Sequence, residues 1–235
     1  MSNHFNLLCI NNASILNDNI TKFLNELVKE YRNARTPIKS DPRLFRGESR
    51  SVASIAEDLL AKAFIDTYKN IDFILINQTI TFATEGKRLR IKPDIIFVQD
   101  NIIKIMFDLK MDLGYARDNA IENIKRTSER FNEIKKQTVT YWQTIENLPT
   151  RKELTFSDRS KYAYIVVSDR NIALEQYKSI EKYGKGTGFF TFVRGEHPNQ
   201  YKITIEQILD NLSKALDCDE IKSLNELICQ CLTNP

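Results

Sequence analysis

Two aspartates and one lysine are the residues of this sequence whose types and spacing best suit catalysis. Asp94 begins the run DIIFV, and thirteen residues separate it from Asp108, which Leu109 and Lys110 follow. Side chains alternate between the two faces of a strand, so Asp108 and Lys110 point to one side and Leu109 to the other. If the two runs pair, two carboxylates and one ammonium group meet on a single patch.

The pairing register decides how close the two aspartates come. We take residues 99–101 as the loop of a hairpin, with Val98 facing the first residue of the second strand, which places Asp94 opposite Met106. Asp108 is then the diagonal neighbour of Asp94, about 7–8 Å away along the backbone. The other face of the second strand is expected to enter the core with Ile103, Ile105, Phe107 and Leu109.

Such a patch has the components of a site for a hard divalent cation. Two nearby carboxylates repel each other, and Mg²⁺, which prefers one or two carboxylates with water and phosphate oxygens, relieves that repulsion. The ion polarises a phosphodiester, lowers the pKa of a bound water and stabilises the leaving oxygen. Lys110 would orient the attacking water or neutralise charge on the phosphate. The carbonyl of Leu109 is a further candidate ligand.

These residues resemble the motif of the PD-(D/E)xK nuclease superfamily, which includes many type II restriction endonucleases. Pro93 and Asp94 match its first half, and the run DLK at 108–110 matches its second half. The resemblance covers about residues 50–168 and implies a restriction-endonuclease-like core, in which a helix precedes a three-stranded meander. It also implies Mg²⁺-dependent hydrolysis of DNA that leaves a 5′-phosphate and a 3′-hydroxyl.

The resemblance further implies an acidic residue on the helix before the meander. Glu57 is the best match, because it borders the apolar stripe of that helix, whereas Asp58 projects to the opposite side. Glu48 is the alternative if the helix register differs. Glu57, Asp94 and Asp108 would then hold one or two Mg²⁺ ions, for which Mn²⁺ can substitute.

Three functions stay open at this point. The first is a type II site-specific restriction endonuclease that cuts double-stranded DNA, as a homodimer if the target is a palindrome. The second is a repair, recombination or end-processing nuclease, because Gln137 and Tyr141 match a QxxxY element that some exonuclease-like branches carry on the helix after the lysine. The third is a non-catalytic DNA-binding module with a vestigial metal site, or a protein-interaction domain on the same scaffold.

Hydrophobic periodicity predicts the elements that must position these residues. Apolar residues at helical spacing predict helices over about 14–31, 51–69, 115–145, 203–216 and 219–231. β-Branched and aromatic runs predict strands over 72–82, 91–98, 102–110, 161–168 and 188–195, with a turn at ATEGKRLR (83–90). This order is typical of an α/β (α+β) domain with a mixed central β-sheet flanked by helices.

The charge pattern indicates where a polyanion would bind. Residues 31–50 contain six basic and two acidic residues, whereas residues 196–235 contain three basic and seven acidic residues. We therefore expect phosphate contacts, which fix register without reading sequence, from Arg43, Arg46, Arg50, Lys87, Arg88, Arg90 and Lys92. Base reading is expected from loops around 150–160 and 184–200. We expect a single nuclease domain over 1–235, with a helical, basic arm (1–49), a catalytic core (50–168) and an acidic helical region (196–235).

Composition excludes several other classes. A chain with 42% hydrophobic and 28% charged residues is neither disordered nor fibrous. Two histidines disfavour histidine-rich metal centres, and four cysteines in a chain of 235 residues do not form a disulfide framework. The apolar runs are too short to span a membrane, and the first residues lack the features of a secretory signal. We therefore expect a cytoplasmic protein.

Overall fold

A mixed sheet of eight strands with flanking helices forms the centre of the protein. The computed structural model describes residues 2–36, 48–84, 87–114, 119–184 and 188–233. The helices within these ranges are α1 (Ser2–Asn33), α2 (Ala53–Thr67), α3 (Ala120–Ile134), α4 (Leu174–Gly184), α5 (Ile205–Ala215) and α6 (Cys218–Thr233). The strands are β1 (Phe73–Ile76), β2 (Ile80–Thr84), β3 (Lys87–Ile91), β4 (Ile95–Gln99), β5 (Ile102–Lys110), β6 (Thr138–Ile145), β7 (Leu148–Ser168) and β8 (Phe189–Val193).

The strand order is β1-β4-β5-β7-β6-β2-β3, and β8 also pairs with β7. The strands β5, β7 and β8 are parallel to one another, whereas the other pairings are antiparallel. Because parallel neighbours need crossover connections, helices α3 and α4 link these central strands. The sheet is therefore mixed, as the sequence predicts.

Each face of the central sheet has its own core. On the first face, Ile105, Phe107 and Leu109 of β5 pack with buried residues of α1, α2, α5 and α6. On the second face, Ile103 and Met106 of β5 pack with α3, α4 and residues of β2 and β6. Burial of apolar area on both faces stabilises the strand that carries the candidate catalytic residues.

The second half of the sheet curls over this second face because β7 is interrupted. Phe156 of β7 pairs with Ile103, but the next pair joins Lys161 to Ile105, so residues 157–160 form a bulge. Before the bulge, residues 148–155 pair with β6, and we call these two segments the β6–β7 ribbon. A two-residue turn closes the ribbon, with positive φ at Glu146 and Asn147. Such turns match the twist of paired strands.

Several predicted boundaries are wrong. The predicted helix over 115–145 ends at Ile134, and β6 follows, because Lys136 has a φ of 64° and the run TVTYW alternates buried and exposed side chains. The predicted strand 72–82 is two strands, since Asn77 between them has a φ of 52°. Part of the predicted turn is strand β3, whose charged residues point outward. The strand predicted over 91–98 begins at Ile95.

Candidate active site

The two candidate aspartates lie at the same end of the β4–β5 hairpin. Ile95 pairs with Phe107, and the backbone N–H of Asp94 donates to the carbonyl of Phe107 at 3.1 Å. Asp94 is therefore level with Asp108, rather than opposite Met106 as the sequence predicts. A bulge between Phe97 and Val98 shifts the register, so the two aspartates are nearer to directly opposite than the predicted diagonal arrangement.

Asp94 is held by the strand that carries the second half of the motif. Its Oδ2 accepts a hydrogen bond from the backbone N–H of Leu109 at 2.7 Å and lies 3.5 Å from Nζ of Lys110. The same Nζ donates to the carbonyl of Leu109 at 3.1 Å. The other carboxylate oxygen, Oδ1, takes part in none of these bonds. The structure thus brings Asp94, Leu109 and Lys110 together as predicted.

Asp108 occupies the most unfavourable electrostatic position of the site. Burial raises the pKa of its carboxyl group, and the charge of Asp94 raises it further. The Lys110 ammonium and a hydrogen bond of 2.8 Å from the Tyr162 hydroxyl act in the opposite direction, but the net pKa stays above the ordinary value. A bound cation would therefore stabilise the ionised form of Asp108 more than Lys110 alone does.

Glu57 lies beside the two aspartates but is not directly grouped with them. It is buried on α2, while its neighbour Asp58 is exposed, as the helical wheel predicts. Burial raises the pKa of Glu57, and the nearby charge of Asp94 raises it further. Its Oε2 accepts a hydrogen bond from the side chain of Asn77. Glu48, the alternative acid, is exposed before α2.

Sequence reasoning missed three residues of this site. Asn77 links its parts, because its backbone N–H donates to the carbonyl of Asp94 at 2.8 Å while its side chain binds Glu57. Tyr162 binds Asp108, and the ring of Tyr164 lies 5.9 Å from Nζ of Lys110. The alternation of Tyr162 and Tyr164 in KYAYIVVS was the available signal, since both had to share one face of a strand next to β5.

The oxygen atoms at this end of the hairpin fit Mg²⁺ in type and number. Among the described residues, no three or more His, Cys, Asp or Glu side chains are grouped so as to hold a metal ion. Mg²⁺ accepts one or two carboxylates and completes its shell with water and substrate oxygens, so Asp94 and Asp108 are sufficient. Burial and the charge of Asp94 raise the pKa of Asp108, so a bound cation would favour its ionised form. The carbonyl of Leu109 would add a ligand to the ion. Glu57 would lie just outside the set of ligands.

A cleft of about 770 Å³ opens beside Lys110. Segment 49–53, the end of β5 and segment 197–202 line it together with Arg170 and Asn171. Its charged lining is mostly basic and consists of Arg50, Lys110, Asp112, Arg170 and Lys202. A phosphate chain that reached Lys110 would therefore find further cations along its path.

One wall of the cleft contains a buried histidine paired with an aspartate. Nε2 of His197, a residue only 5% exposed, lies 3.2 Å from Oδ2 of Asp112, and its Nδ1 accepts the backbone N–H of Asn199 at 2.8 Å. Burial alone would raise the pKa of Asp112, but His197, Asn171 and the N–H of Gly114 lower it below the ordinary value. The pair fixes the loop after β8 against the end of β5.

The predicted phosphate-binding residues lie in two places. Arg50 is in the cleft, and its guanidinium donates to the carbonyl of Asn33 at 2.8 Å. Lys87, Arg88, Arg90 and Lys92 are exposed on or just after β3. The predictions for Arg43 and Arg46 lie outside the described residues. DNA contact by any of these side chains stays a prediction.

The QxxxY interpretation is wrong in its structural basis. Tyr141 lies on strand β6, where it is buried in the second core, and Gln137 lies between α3 and β6. The predicted helix that would present both side chains on one face ends at Ile134.

Comparisons with protein-family models, with curated proteins and with solved structures each found no match. Within the described ranges, no helix has the length and apolar character needed to cross a membrane.

Proposed function

We propose that this protein is a Mg²⁺-dependent DNA endonuclease that resembles the PD-(D/E)xK nucleases. The observation that carries the proposal is the placement of Asp94 level with Asp108, with Lys110 3.5 Å from Asp94, at the edge of a basic cleft. Two carboxylates without a full complement of positive charge, next to a path for a polyanion, favour metal-assisted cleavage of a phosphodiester.

Each residue would have a separate task. Asp94 and Asp108 would bind Mg²⁺, and the carbonyl of Leu109 would add a ligand. The bound ion would supply a water of lowered pKa and charge stabilisation at the leaving oxygen. Lys110 would orient that water beside the scissile phosphate, and Glu57 would accept a proton or hold an outer water. Because burial and the charge of Asp94 raise the pKa of Glu57 above its ordinary value, this carboxyl group would hold a proton more readily than a free glutamate does.

The substrate would be double-stranded DNA, and a type II site-specific restriction endonuclease would best fit a chain of this size with a mixed α/β fold. A restriction-endonuclease-like core and a symmetric homodimer belong to the proposal, because a palindromic site requires two-fold symmetry. A repair or end-processing nuclease would use the same chemistry, but the placement of Tyr141 in a strand removes its specific support.

A non-catalytic DNA-binding module is the second candidate function. It is favoured by the fact that the described residues do not group three metal-ligating side chains. In that case the basic cleft would bind DNA, and the carboxylates of Asp94 and Asp108 would bind no ion. Calorimetric titration with Mg²⁺ or Mn²⁺ separates the two functions, since duplex affinity without any divalent ion binding supports the module.

The test of the nuclease function is cleavage of plasmid and phage DNA with Mg²⁺, followed by mapping of the fragment ends. We expect discrete fragments from the wild type, and loss of cleavage in Asp108→Asn and in Lys110→Ala. Asp58→Asn is the matched control, because Asp58 is exposed on the same helix as Glu57. Full activity of both site variants would refute the mechanism, whereas smears or loss only from ends would favour the repair or end-processing function.

A further inference from the structure

The curled part of the sheet has one face that does not enter the core. Arg90 lies opposite Thr81, Thr81 opposite Thr140, and Thr140 opposite Glu153. Residues directly opposite each other share a face, and so do residues two positions along a strand. These relations define a surface that we call the ribbon face: Thr81, Arg88, Arg90, Thr140, Trp142, Arg151 and Glu153.

The opposite face of the same strands supplies the core residues. Phe82, Val139, Tyr141 and Leu154 are buried in the second core. The fold is therefore complete without the ribbon face. Trp142 is nevertheless 58% exposed on it, although tryptophan is usually mostly buried.

Trp142 and Arg151 lie directly opposite each other on the neighbouring strands β6 and β7 of the ribbon face. Arg151 is exposed, and Nη2 lies 3.8 Å from Oε1 of the exposed Glu153, a weak surface pair. With Arg88 and Arg90, the face contains three arginines and one glutamate. It thus combines positive charge with an aromatic ring and the hydroxyls of Thr81 and Thr140.

The ribbon runs toward the candidate active site. Since β2 and β6 are antiparallel, β6 beyond Thr140 follows the residues that precede Thr81, in the direction of Asn77. Asn77 binds Glu57 and Asp94. Four residues span at most about 14 Å, and paired strands are about 5 Å apart, so Thr140 lies within about 20 Å of Asn77. That distance corresponds to about six base pairs of duplex.

We propose, building on the nuclease function above, that the ribbon face contacts duplex DNA beside the cut, and that Trp142 and Arg151 read base edges in the major groove. That groove admits a two-stranded ribbon, arginine binds guanine through two hydrogen bonds, and an apolar ring contacts the methyl group of thymine. Arg88 and Arg90 contact the neighbouring phosphates, which sets the register. The base-reading loop expected around 150–160 is thereby replaced by a paired strand.

A second copy of this chain is the rival occupant of the ribbon face. Homodimer interfaces are more apolar than the average surface and are depleted of charge at their centre. The ribbon face instead has Trp142 as its one large apolar residue, with Arg151 directly beside it. Charge complementarity therefore favours DNA.

The experiment compares the full-length wild type with Trp142→Ala and Arg151→Ala. Lys214→Ala is the matched control, because Lys214 is exposed on α5 and interacts with Asp210 alone among the described residues. Steady-state cleavage gives KM and kcat, and sequencing of the products from a library of random duplexes gives the base preference. We expect KM to rise by about 5- to 150-fold in each variant, as for loss of one base contact. We also expect kcat to change by less than about threefold, because the site that performs the chemistry is intact, and the base preference to relax at one or two positions.

The outcomes separate this inference from the nuclease function. If the wild type cleaves while both variants keep its KM and base preference, the ribbon inference is overturned and the nuclease function stands. If the wild type neither cleaves nor binds duplex DNA, both fall together. Sedimentation tests the rival occupant, a second copy of this chain. If Trp142→Ala forms weaker dimers and keeps the base preference of the wild type, the ribbon face is a subunit contact and the inference is overturned.

Discussion

Two clusters of charged side chains in this protein differ in how far neighbouring groups balance their charges. At the end of β4 and β5, Asp94 and Asp108 repel each other, and the pKa of Asp108 is raised by burial and by this repulsion. After β8, Arg194 lies 2.9 Å from both Asp217 and Glu181, and within 4 Å of Asp169 and Glu220. Burial alone would lower the pKa of Arg194, but Asp217, Tyr177 and Glu181 raise it well above the ordinary value.

The difference indicates which cluster is structural. Arg194 also donates to the hydroxyl of Tyr177 at 2.6 Å, so its planar group joins the end of β8 to α4 and to the start of α6. The charge of Arg194 is therefore balanced by carboxylates of the same chain. The repulsion between Asp94 and Asp108 is not balanced in this way, and a protein retains such repulsion where a ligand relieves it. The predictions below test that contrast.

The largest effect is expected for Asp94→Asn. It removes one of the two carboxylates proposed to bind Mg²⁺, and we expect cleavage to fall by about 1,000-fold, or about 4 kcal/mol of transition-state stabilisation. Thermal denaturation without divalent ions should show no loss of stability, because the repulsion with Asp108 disappears. Plasmid cleavage and a melting curve of the same sample measure both quantities. A variant that is inactive because it is unfolded would contradict the proposed role.

Arg194→Ala should have the reverse effect. We expect the free energy of unfolding to fall by about 3 kcal/mol, near the low end for breaking a buried ion pair, since the Arg194 side chain is one-third exposed. Cleavage per folded molecule at low temperature should equal that of the wild type. Urea denaturation measures the free energy of unfolding. For Arg194→Lys, which keeps the charge but not the planar fork, this free energy should lie between those of the wild type and Arg194→Ala. Equal loss of cleavage and stability would place Arg194 in the active site.

Tyr162→Phe should weaken Mg²⁺ binding at the proposed metal site, although it removes none of the proposed ligands. The hydroxyl donates to Asp108 and favours its ionised form, so its loss should lower Mg²⁺ affinity by about tenfold, as for other residues that orient ligands. The pH at which cleavage begins should also rise. Calorimetric titration with Mg²⁺ measures the affinity, and Tyr141→Phe is the control, because Tyr141 is buried in the same core. An unchanged affinity would separate Tyr162 from metal binding.

Asp108→Asn should stabilise the metal-free protein in a pH-dependent way. A carboxyl group with a raised pKa contributes stability below its unfolded pKa and loses it as the pH rises through its folded pKa. The gain from Asp108→Asn should therefore reach about 1 kcal/mol at pH 8 and vanish at acid pH. Asp112→Asn should show the opposite sign, because the pKa of Asp112 is lowered and its stabilisation exists at neutral pH. Melting curves at several pH values, without divalent ions, test both signs.

The sequence predicted which residues meet at the candidate site better than it predicted their exact geometry. The motif identified Asp94, Asp108 and Lys110, and the predicted strand 102–110 agrees with β5. The pairing register was wrong, because Phe97 pairs with Ile105 but Val98 pairs with Ile103, and the sequence alone does not specify this bulge at Lys104 of β5. Asn77 was missed for a related reason: its positive φ is a backbone property that a single sequence rarely reveals.

The curled half of the sheet was largely misread from sequence. The spacing of the apolar residues suits one long helix that includes Phe131, Ile134, Trp142 and Ile145. The sequence therefore did not reveal the change to a strand after Ile134. The alternation in TVTYW and the charged–apolar alternation in KRLRI were the opposing signals. Both patterns are typical of strands with one buried and one exposed face. For TVTYW, the pairing of β6 with β7 decided between the helical and the strand periodicity.

The bulge at 157–160 divides β7 into two stretches that can diverge independently. Before it, the outward positions of the strand contribute nothing to either core, so their substitution is nearly neutral for folding. After it, Tyr162 and Tyr164 are tied to the aspartates and the lysine. Substitutions before the bulge can therefore change the exposed surface of β7, while the contacts that Tyr162 and Tyr164 make after it stay in place.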